Sequence, residues 1–286
     1  MAAMPPSFDF DAASALSQGR RSYQEDAVIA DFSRGSDVGL AVLADGMGGH
    51  AAGDVASKIV VTEVFSELMF QRGDPAAFEE TVTQTLLDAA MAANACLRHH
   101  VAAHPETHGM GATLVATVIL NRNLYWISVG DSPLFLFRNG TLSQLNEDHS
   151  MAPQIDFMVK SGLLNTEEAR CHPDRNTLTS VLFGEEVPRI DCPDEPLELR
   201  GDDVLIVASD GLQFLTDEEI TEVLVTHQDA HSSEIADNLL ARLSDLQDPD
   251  LDNVSFSIVK LKDSSHRQAE AAEAGPAAED ALRRAG

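Results

Sequence analysis

Hydrophobic and polar positions change their period along the chain, and each change marks a different kind of element. Near the start, short apolar runs separated by Gly, Asp and Ser predict strands over 12–17, 27–32 and 38–44. Apolar residues then recur every three to four positions through two long stretches, which begin near Val55 and Phe78 and predict amphipathic helices. The intervening sequence "RGDP" is typical of a turn.

The middle of the chain returns to strand-like segments. "ATLVATVIL", "LYWISV", "LFLFRNG" and "TLSQLN" follow one another closely, and their connections "NRN", "GDSP" and "RNG" predict hairpins. A further strand, "DDVLIVAS", precedes helical patterns at 217–226 and 232–245, and "NVSFSIVKL" predicts a last strand. Because the strands come in runs rather than alternating with helices, the order favours antiparallel sheets covered by helices over a parallel sheet.

Two stretches lack a core-like pattern. Residues 149–176 are polar and contain short helical pieces, which indicates a surface insertion. The segment 263–286 is rich in Ala and Glu and has few large apolar residues, so we expect a flexible or loosely helical tail. Residues 1–262 are therefore the expected extent of the folded domain.

Composition and charge narrow the class of protein. The 286 residues are 44% hydrophobic, which is enough for a sizeable core. The net charge of −28 argues against nucleic acid or an anionic membrane as a partner, because both require basic patches. The longest apolar stretch, 112–120, is far shorter than the ~20 residues of a membrane span.

Cysteine usage and the amino terminus suggest the compartment. The three cysteines form no CxxC pair, which argues against a disulfide framework or a thiolate zinc site and favours a reducing environment. No signal-peptide pattern is visible at the start of the chain. We therefore expect a cytoplasmic protein.

Acidic residues recur at the ends of the predicted strands. They are Glu25, Asp26, Asp45, Asp131, Asp210 and Asp252. One Asp-Gly after a strand is a common turn, but turns account poorly for so many strand ends carrying Asp. Two such charges ~4 Å apart repel by ~4 kcal/mol at an effective dielectric near 20. A cluster of them persists only if some are protonated or cations lie between them, and oxygen ligands select Mg²⁺ or Mn²⁺ first, with Ca²⁺ possible.

These segments carry a family resemblance. The sequences "RRSYQED", "LADGMGGHAAGDVAS", "GMGATLVA", "VGDSPLFLFRNG", "DHSM", "HPDRNTLT", "VASDGL" and "DNVSFSIV" resemble, in order and spacing, the metal-dependent protein phosphatases of type 2C, the PPM family, and especially its bacterial members. The resemblance covers roughly 12–261. It implies an α+β fold, a four-layer αββα sandwich of two antiparallel sheets flanked by helices. It also implies hydrolysis of phosphoserine and phosphothreonine esters through a metal-bridged water, with two or three Mn²⁺ or Mg²⁺ ions.

The resemblance assigns roles to individual residues. Asp45 matches the carboxylate that bridges two metals, and Gly46 matches a backbone-carbonyl ligand. Asp210 and Asp252 match the other direct ligands of the first metal. Arg21 matches the phosphate-binding arginine, whose guanidinium donates two hydrogen bonds at once.

Three further acids complete the implied metal set. Glu25 and Asp26 match acids that bind the waters of the second metal. Asp131 matches the acid that, with Asp210, holds a third and weaker metal in bacterial relatives.

Some positions leave alternatives open. Met47 stands where eukaryotic members carry a His thought to protonate the leaving group, so a metal-bound water or another acid must do this; nearby His50 fits a structural role at a helix start. Residues 149–176 correspond to the family's flap beside the active site. There His172 and Arg175 either touch a phosphoprotein or belong to a turn that closes the flap.

The function implied is that of a phosphatase acting on a phosphorylated protein, opposing a Ser/Thr kinase, as a monomer. A catalytically silent relative that only binds is one alternative, but no ligand acid is lost here. A phosphatase for a small phosphoester is the other, and the chain has no basic nucleotide-binding loop.

Overall fold

Eleven strands in the computed structural model, which describes residues 8–33, 36, 38–48 and 51–263, form two antiparallel sheets. The sheets stack face to face, and helices cover the outer face of each. The predicted αββα sandwich is therefore confirmed.

The first sheet has the order β1-β11-β10-β7-β8. Its strands are β1 (Phe8–Ser17), β7 (Leu134–Arg138), β8 (Thr141–Gln144), β10 (Val204–Ala208) and β11 (Val254–Asp263).

The second sheet has the order β2-β3-β5-β6-β9, and β4 extends it by pairing with the end of β3. Its strands are β2 (Asp26–Asp31), β3 (Val38–Met47), β4 (Gly111–Ala112), β5 (Leu114–Leu120), β6 (Asn123–Val129) and β9 (Leu197–Glu198).

Helices pack on both outer faces and also form the flap. On the second sheet lie α1 (Ala51–Gln71) and α3 (Val82–Ala103), with the short α2 (Pro75–Glu79) between them in sequence. On the first sheet lie α6 (Asp217–Thr226) and α7 (Ser232–Asp245). The flap contains α4 (Ala152–Lys160) and α5 (Thr166–Arg170), and 3₁₀ turns cover Pro105–Thr107 and Asp210–Phe214.

Local sequence explains how these elements start and why the sheets are central. The Thr216 hydroxyl accepts a hydrogen bond from the Glu219 amide, and the Glu219 carboxylate accepts one from the Thr216 amide, a capping box that begins α6. Every residue of β5 is buried, because one of its faces meets α1 and α3 and the other meets the opposite sheet. An uninterrupted apolar strand is what two covered faces require.

The predicted hairpin at "GDSP" is wrong. β6 belongs to the second sheet and β7 to the first, so residues 130–133 carry the chain from one sheet to the other. Gly130 has φ +107°, and a Cβ there would lie 2.6 Å from the Thr113 side chain. This crossing delivers Asp131 to the space between the sheet edges. The hairpins at "NRN" and "RNG" are confirmed.

Element boundaries also differ in two places. β3 continues to Met47, so Asp45 lies inside the strand rather than directly after it. The helical pattern that starts at Phe78 is divided between α2 and α3. His50 and the part of the predicted tail from residue 264 onward lie outside the described residues. Within the described ranges, no helix combines enough length and apolar character to cross a membrane.

Candidate metal centre

The predicted acids converge at one edge of the sandwich, although they come from separate elements. Asp26 begins β2, Asp45 lies near the end of β3, Asp131 lies in the crossing after β6, Asp210 follows β10, and Asp252 precedes β11. The charges of the other four each raise the pKa of Asp45. The convergence predicted from the strand ends is therefore present in the structure.

Asp26 and Asp45 are direct neighbours across the β2–β3 ladder. Like charges at such positions destabilise a sheet. Asp26 is 3% exposed; its Oδ2 accepts a hydrogen bond of 2.8 Å from Ser209 Oγ, and its Oδ1 has no partner. Burial, followed by the charges of Asp210 and Asp252, raises the pKa of Asp26 to about 6.

Asp45 is held by its backbone. Its amide donates to Thr113 Oγ1 at 2.9 Å, and its carbonyl accepts from the Thr113 amide at 2.9 Å. The Thr113 hydroxyl also bonds the Ser132 hydroxyl at 2.8 Å, which ties β3 to the crossing that carries Asp131. Burial and then the charge of Asp26 raise the pKa of Asp45 well above its usual range.

Asp131 and Asp210 complete the crowded group. Burial, then the charges of Asp210 and Asp148, raises the pKa of Asp131 to about 7. Burial and the charge of Asp252 raise the pKa of Asp210, while a hydrogen bond with Asp45 opposes that rise. Burial and mutual repulsion therefore keep protons on this group of acids at pH values where an exposed aspartate has lost them.

Two glycines allow Glu25 to approach this group. A Cβ on Gly46 would lie 2.0 Å from the Gly53 carbonyl oxygen, and a Cβ on Gly53 would lie 2.3 Å from Glu25 Oε1. The Gly46 amide donates to the Glu25 carbonyl at 3.1 Å. Burial raises the pKa of Glu25, and the nearby charge of Arg21 opposes that rise. Only glycine allows this close backbone contact between the end of β3, the first turns of α1 and Glu25.

Arg21 lies at the solvent side of the acids. Its Nη2 is 2.5 Å from Asp252 Oδ2, and 55% of its side chain is exposed. A guanidinium that contacts one acid of the site and remains open to solvent is placed to meet an incoming anion.

The donor set fits a hard divalent cation. Glu25 Oε1, Asp26 Oδ1 and Asp210 Oδ1 are buried and have no hydrogen-bond partner, and carboxylate and carbonyl oxygens are the ligands such ions prefer. Among the described residues, no group of three or more His, Cys, Asp and Glu side chains is arranged to hold a metal ion as the side chains stand. They contact one another and Arg21 instead, and these are contacts that a cation would replace.

The two predicted flap residues make contacts within the flap. His172 Nδ1 accepts a hydrogen bond from the Asp174 amide at 3.2 Å, and the His172 carbonyl accepts one from the Arg175 amide at 3.0 Å. The Arg175 guanidinium contacts both carboxylate oxygens of Asp156, at 2.7 and 3.2 Å. These are the contacts expected of a turn that closes the flap, and a substrate role for either residue stays a prediction.

Sequence reasoning missed several polar side chains that organise the site. Thr113 and Ser209 bind acid-bearing segments as described above, and Asn253 bonds three backbone groups of 18–25. Asn253 follows Asp252 and Ser209 precedes Asp210, so adjacency to a predicted ligand was the available signal.

Comparison with known proteins agrees with this geometry. The serine/threonine protein phosphatase PstP of Mycobacterium tuberculosis is 32% identical over 266 residues, which cover 91% of this chain and 46% of PstP. The chain thus spans about half the length of that relative. The crystal structure of the M. tuberculosis phosphatase matches with a TM-score of 0.73 and 31% identity, over 88% of this chain and 99% of that one.

A second solved structure is the PstP catalytic domain in complex with two manganese ions. It matches with a TM-score of 0.68 and 30% identity, over 90% of this chain and all of that chain (100%). The family model described as "Protein phosphatase 2C" matches residues 17–251. This match covers most of the sequence, and the structure is an αββα sandwich with a cluster of acids at one edge. The chain therefore belongs to the protein phosphatase 2C family.

Proposed function

We propose that this chain is a metal-dependent protein serine/threonine phosphatase that hydrolyses phosphoserine and phosphothreonine esters with Mn²⁺ or Mg²⁺. The observation that carries the proposal is the oxygen-only group of buried and half-buried acids, with buried carboxylate oxygens that have no hydrogen-bond partner, beside the half-exposed Arg21. The name of the M. tuberculosis relative and the two manganese ions of the PstP complex support it.

The proposed metal ligands divide into three sets. The direct ligands would be the carboxylates of Asp45, Asp210 and Asp252 and the carbonyl of Gly46. Glu25 and Asp26 would act through water, and Asp131 with Asp210 would hold a third ion. Divalent ions there supply an activated water and offset phosphate charge. Because the pKa values of Asp45 and Asp210 are raised, metal binding should displace protons from the cluster, and metal affinity should rise with pH.

The chain's own side chains position the substrate. Arg21 Nη2 donates to Asp252 Oδ2, and the other guanidinium N–H groups of Arg21 donate to the phosphoryl oxygens. Ser209 orients Asp26 by its hydrogen bond to Oδ2. The phosphoryl group would therefore lie between the Arg21 guanidinium on one side and the cations that the acid cluster would hold on the other.

We also propose a cellular role. The substrate is a phosphorylated protein, and the enzyme opposes a Ser/Thr kinase in the cytoplasm as a monomer. We take residues 1–262 as the phosphatase domain, with 263–286 as a tail and the flap at 149–176 beside the substrate. The charge of −28 disfavours nucleic acid as a partner.

The test is release of inorganic phosphate from a phosphothreonine peptide with Mn²⁺, and its loss on adding a chelator. p-Nitrophenyl phosphate, assayed in parallel, separates the substrate classes. Hydrolysis of the small ester without the peptide would overturn the protein-substrate proposal. Manganese binding measured by calorimetry, without hydrolysis of either compound, would indicate a silent binding protein instead.

A further inference from the structure

The connection between β1 and β2, residues 18–25, is here called the arginine loop because it carries Arg21. Its residues 18–21, 23 and 25 contact residues 251–253. The Arg20 amide donates to the Leu251 carbonyl at 2.8 Å, and a Cβ on Gly19 (φ +58°) would lie 2.0 Å from the Asp252 carbonyl oxygen. The loop thus packs directly on the segment that supplies one of the proposed metal ligands.

Asn253 joins both ends of the arginine loop. Its side-chain Oδ1 accepts from the Glu25 amide at 2.8 Å, and its Nδ2 donates to the carbonyls of Gln18 and Tyr23, each at 2.9 Å. The residue is 4% exposed. A carboxamide offers an acceptor oxygen and two donor hydrogens together, so the two carbonyls use both donor hydrogens and the Glu25 amide binds the oxygen.

We infer that Asn253 is a positioning residue that fixes the arginine loop against Asp252, so that Arg21 and Glu25 keep their places relative to the metal ligands. The consequence for catalysis rests on the proposed function; the consequence for the loop does not. The neighbouring Asp252 accepts a hydrogen bond of 2.7 Å at Oδ1 from the Asn253 backbone amide. Its Oδ2 contacts Arg21. Without the carboxamide, the backbone groups at 18, 23 and 25 lose this hydrogen-bond partner and the loop loses its anchor.

Asn94 offers a matched control. It is 3% exposed, its Oδ1 accepts from the amides of Phe183 and Gly184 at 3.1 and 2.7 Å, and its Nδ2 donates to the Glu185 carbonyl at 2.7 Å. It is the same residue type at similar burial and also makes three hydrogen bonds to backbone groups, accepting two and donating one, but it anchors a different loop. Substituting both residues therefore separates loss of a buried amide from loss of the arginine loop's anchor.

The experiment compares Asn253→Ala, Asn253→Asp and Asn94→Ala. Hydrogen exchange of the metal-free protein should show faster exchange in peptides covering 18–25 for both Asn253 variants and no change there for Asn94→Ala. Asn253→Asp keeps the acceptor for the Glu25 amide but turns an oxygen toward two carbonyls, so it serves as a second variant if Asn253→Ala does not fold.

Kinetics with the phosphothreonine peptide and Mn²⁺ give the second measurement. Asn253→Ala should raise KM about tenfold with a smaller change in kcat. In an Arg21→Ala background the same substitution should have little further effect on KM, because residues acting through one another are not additive. Asn94→Ala should leave KM unchanged.

Two results would overturn the inference: unchanged exchange over 18–25 in the Asn253 variants, or equal rises in KM for Asn253→Ala and Asn94→Ala. Failure of the proposed function is a separate outcome, since a wild-type protein that does not dephosphorylate the peptide still yields the exchange comparison.

Discussion

Asp26 and Asp203 are both buried aspartates, 3% and 1% exposed, but their surroundings offer very different partners. Both oxygens of Asp203 are occupied: Arg138 Nε donates to Oδ1 at 2.8 Å, Arg138 Nη2 donates to Oδ2 at 2.6 Å, and the Arg200 amide donates to Oδ2 at 2.8 Å. Asp26 has one hydrogen bond from Ser209, and its neighbours are other acids.

The difference shows which negative charge the fold neutralises by itself. At Asp203 the chain supplies an arginine whose pKa is raised by the hydrogen bond with that carboxylate. At the acid cluster, Arg21 contacts Asp252 from the solvent side, while three buried carboxylate oxygens stay without a partner. A buried charge without a partner is costly, so the fold itself neutralises Asp203, whereas the acid cluster requires protons or an external cation.

The largest expected effect comes from removing a charge from the acid cluster. Asp210→Asn should abolish phosphate release from a phosphothreonine peptide, because the variant loses a direct metal ligand. Its metal-free stability should stay within about 1 kcal/mol of the wild type, since the substitution also relieves repulsion. Phosphate release and urea unfolding in chelator measure the two effects. Near-normal turnover in this variant would rule out the proposed mechanism.

Replacing Asp203 by Asn should have the opposite effects on stability and activity. Asp203→Asn leaves the buried end of Arg138 without its charged partner and should lower the free energy of unfolding by about 3 kcal/mol. The folded variant should keep the wild-type kcat, because this pair lies away from the acids of the site. Urea unfolding tests the first statement. A stable Asp203→Asn beside a destabilised Asp210→Asn would reverse the comparison between the two sites.

The stability of the metal-free protein should depend on pH because of the acid cluster. The pKa values of Asp26 and Asp131, about 6 and about 7, exceed the ordinary value of 3.8, so the folded state holds protons that the unfolded state releases. Their stabilising contribution is complete below about pH 4 and is lost as pH rises toward 7, by roughly 2–3 kcal/mol for Asp26 alone.

Urea unfolding from pH 5 to 8 in chelator should therefore show stability falling with pH. Asp26→Asn should reduce the slope, and saturating Mn²⁺ should remove it, because the ion takes the place of the protons. A slope that is unaffected by Asp26→Asn would show that other groups cause it.

The acids of the cluster were predictable because each adjoins an apolar segment that forms a strand of the core. "VLIVASD" and "YWISVGD" both give the end of a strand and the charge that follows it. The route between strands was less predictable. A short Gly-Asp-Ser-Pro connection can turn back within one sheet or cross to the sheet stacked on it, and local spacing is the same in both cases.

Partners from distant parts of the chain could not be predicted. Asn253 bonds backbone groups that lie 228 to 235 positions away, and Arg138 and Asp203 are 65 positions apart. Such contacts leave no periodic pattern in the sequence, because they form only when the two sheets have stacked. β9 is two residues long, too short for any alternation to be recognised.

The smallest expected effect is at the flap, where Arg175 and Asp156 repeat the two-pronged contact of Arg138 and Asp203 at the surface. Their side chains are 30% and 48% exposed, so the ion pair should contribute only about 0.5 kcal/mol to stability. Arg175→Ala and Asp156→Ala should behave alike in unfolding and in KM for the phosphothreonine peptide, because the guanidinium is engaged by Asp156. His172→Ala tests the neighbouring turn in the same assay. If Arg175→Ala raised KM while Asp156→Ala, which frees the guanidinium, did not, Arg175 would contact the substrate rather than close the flap.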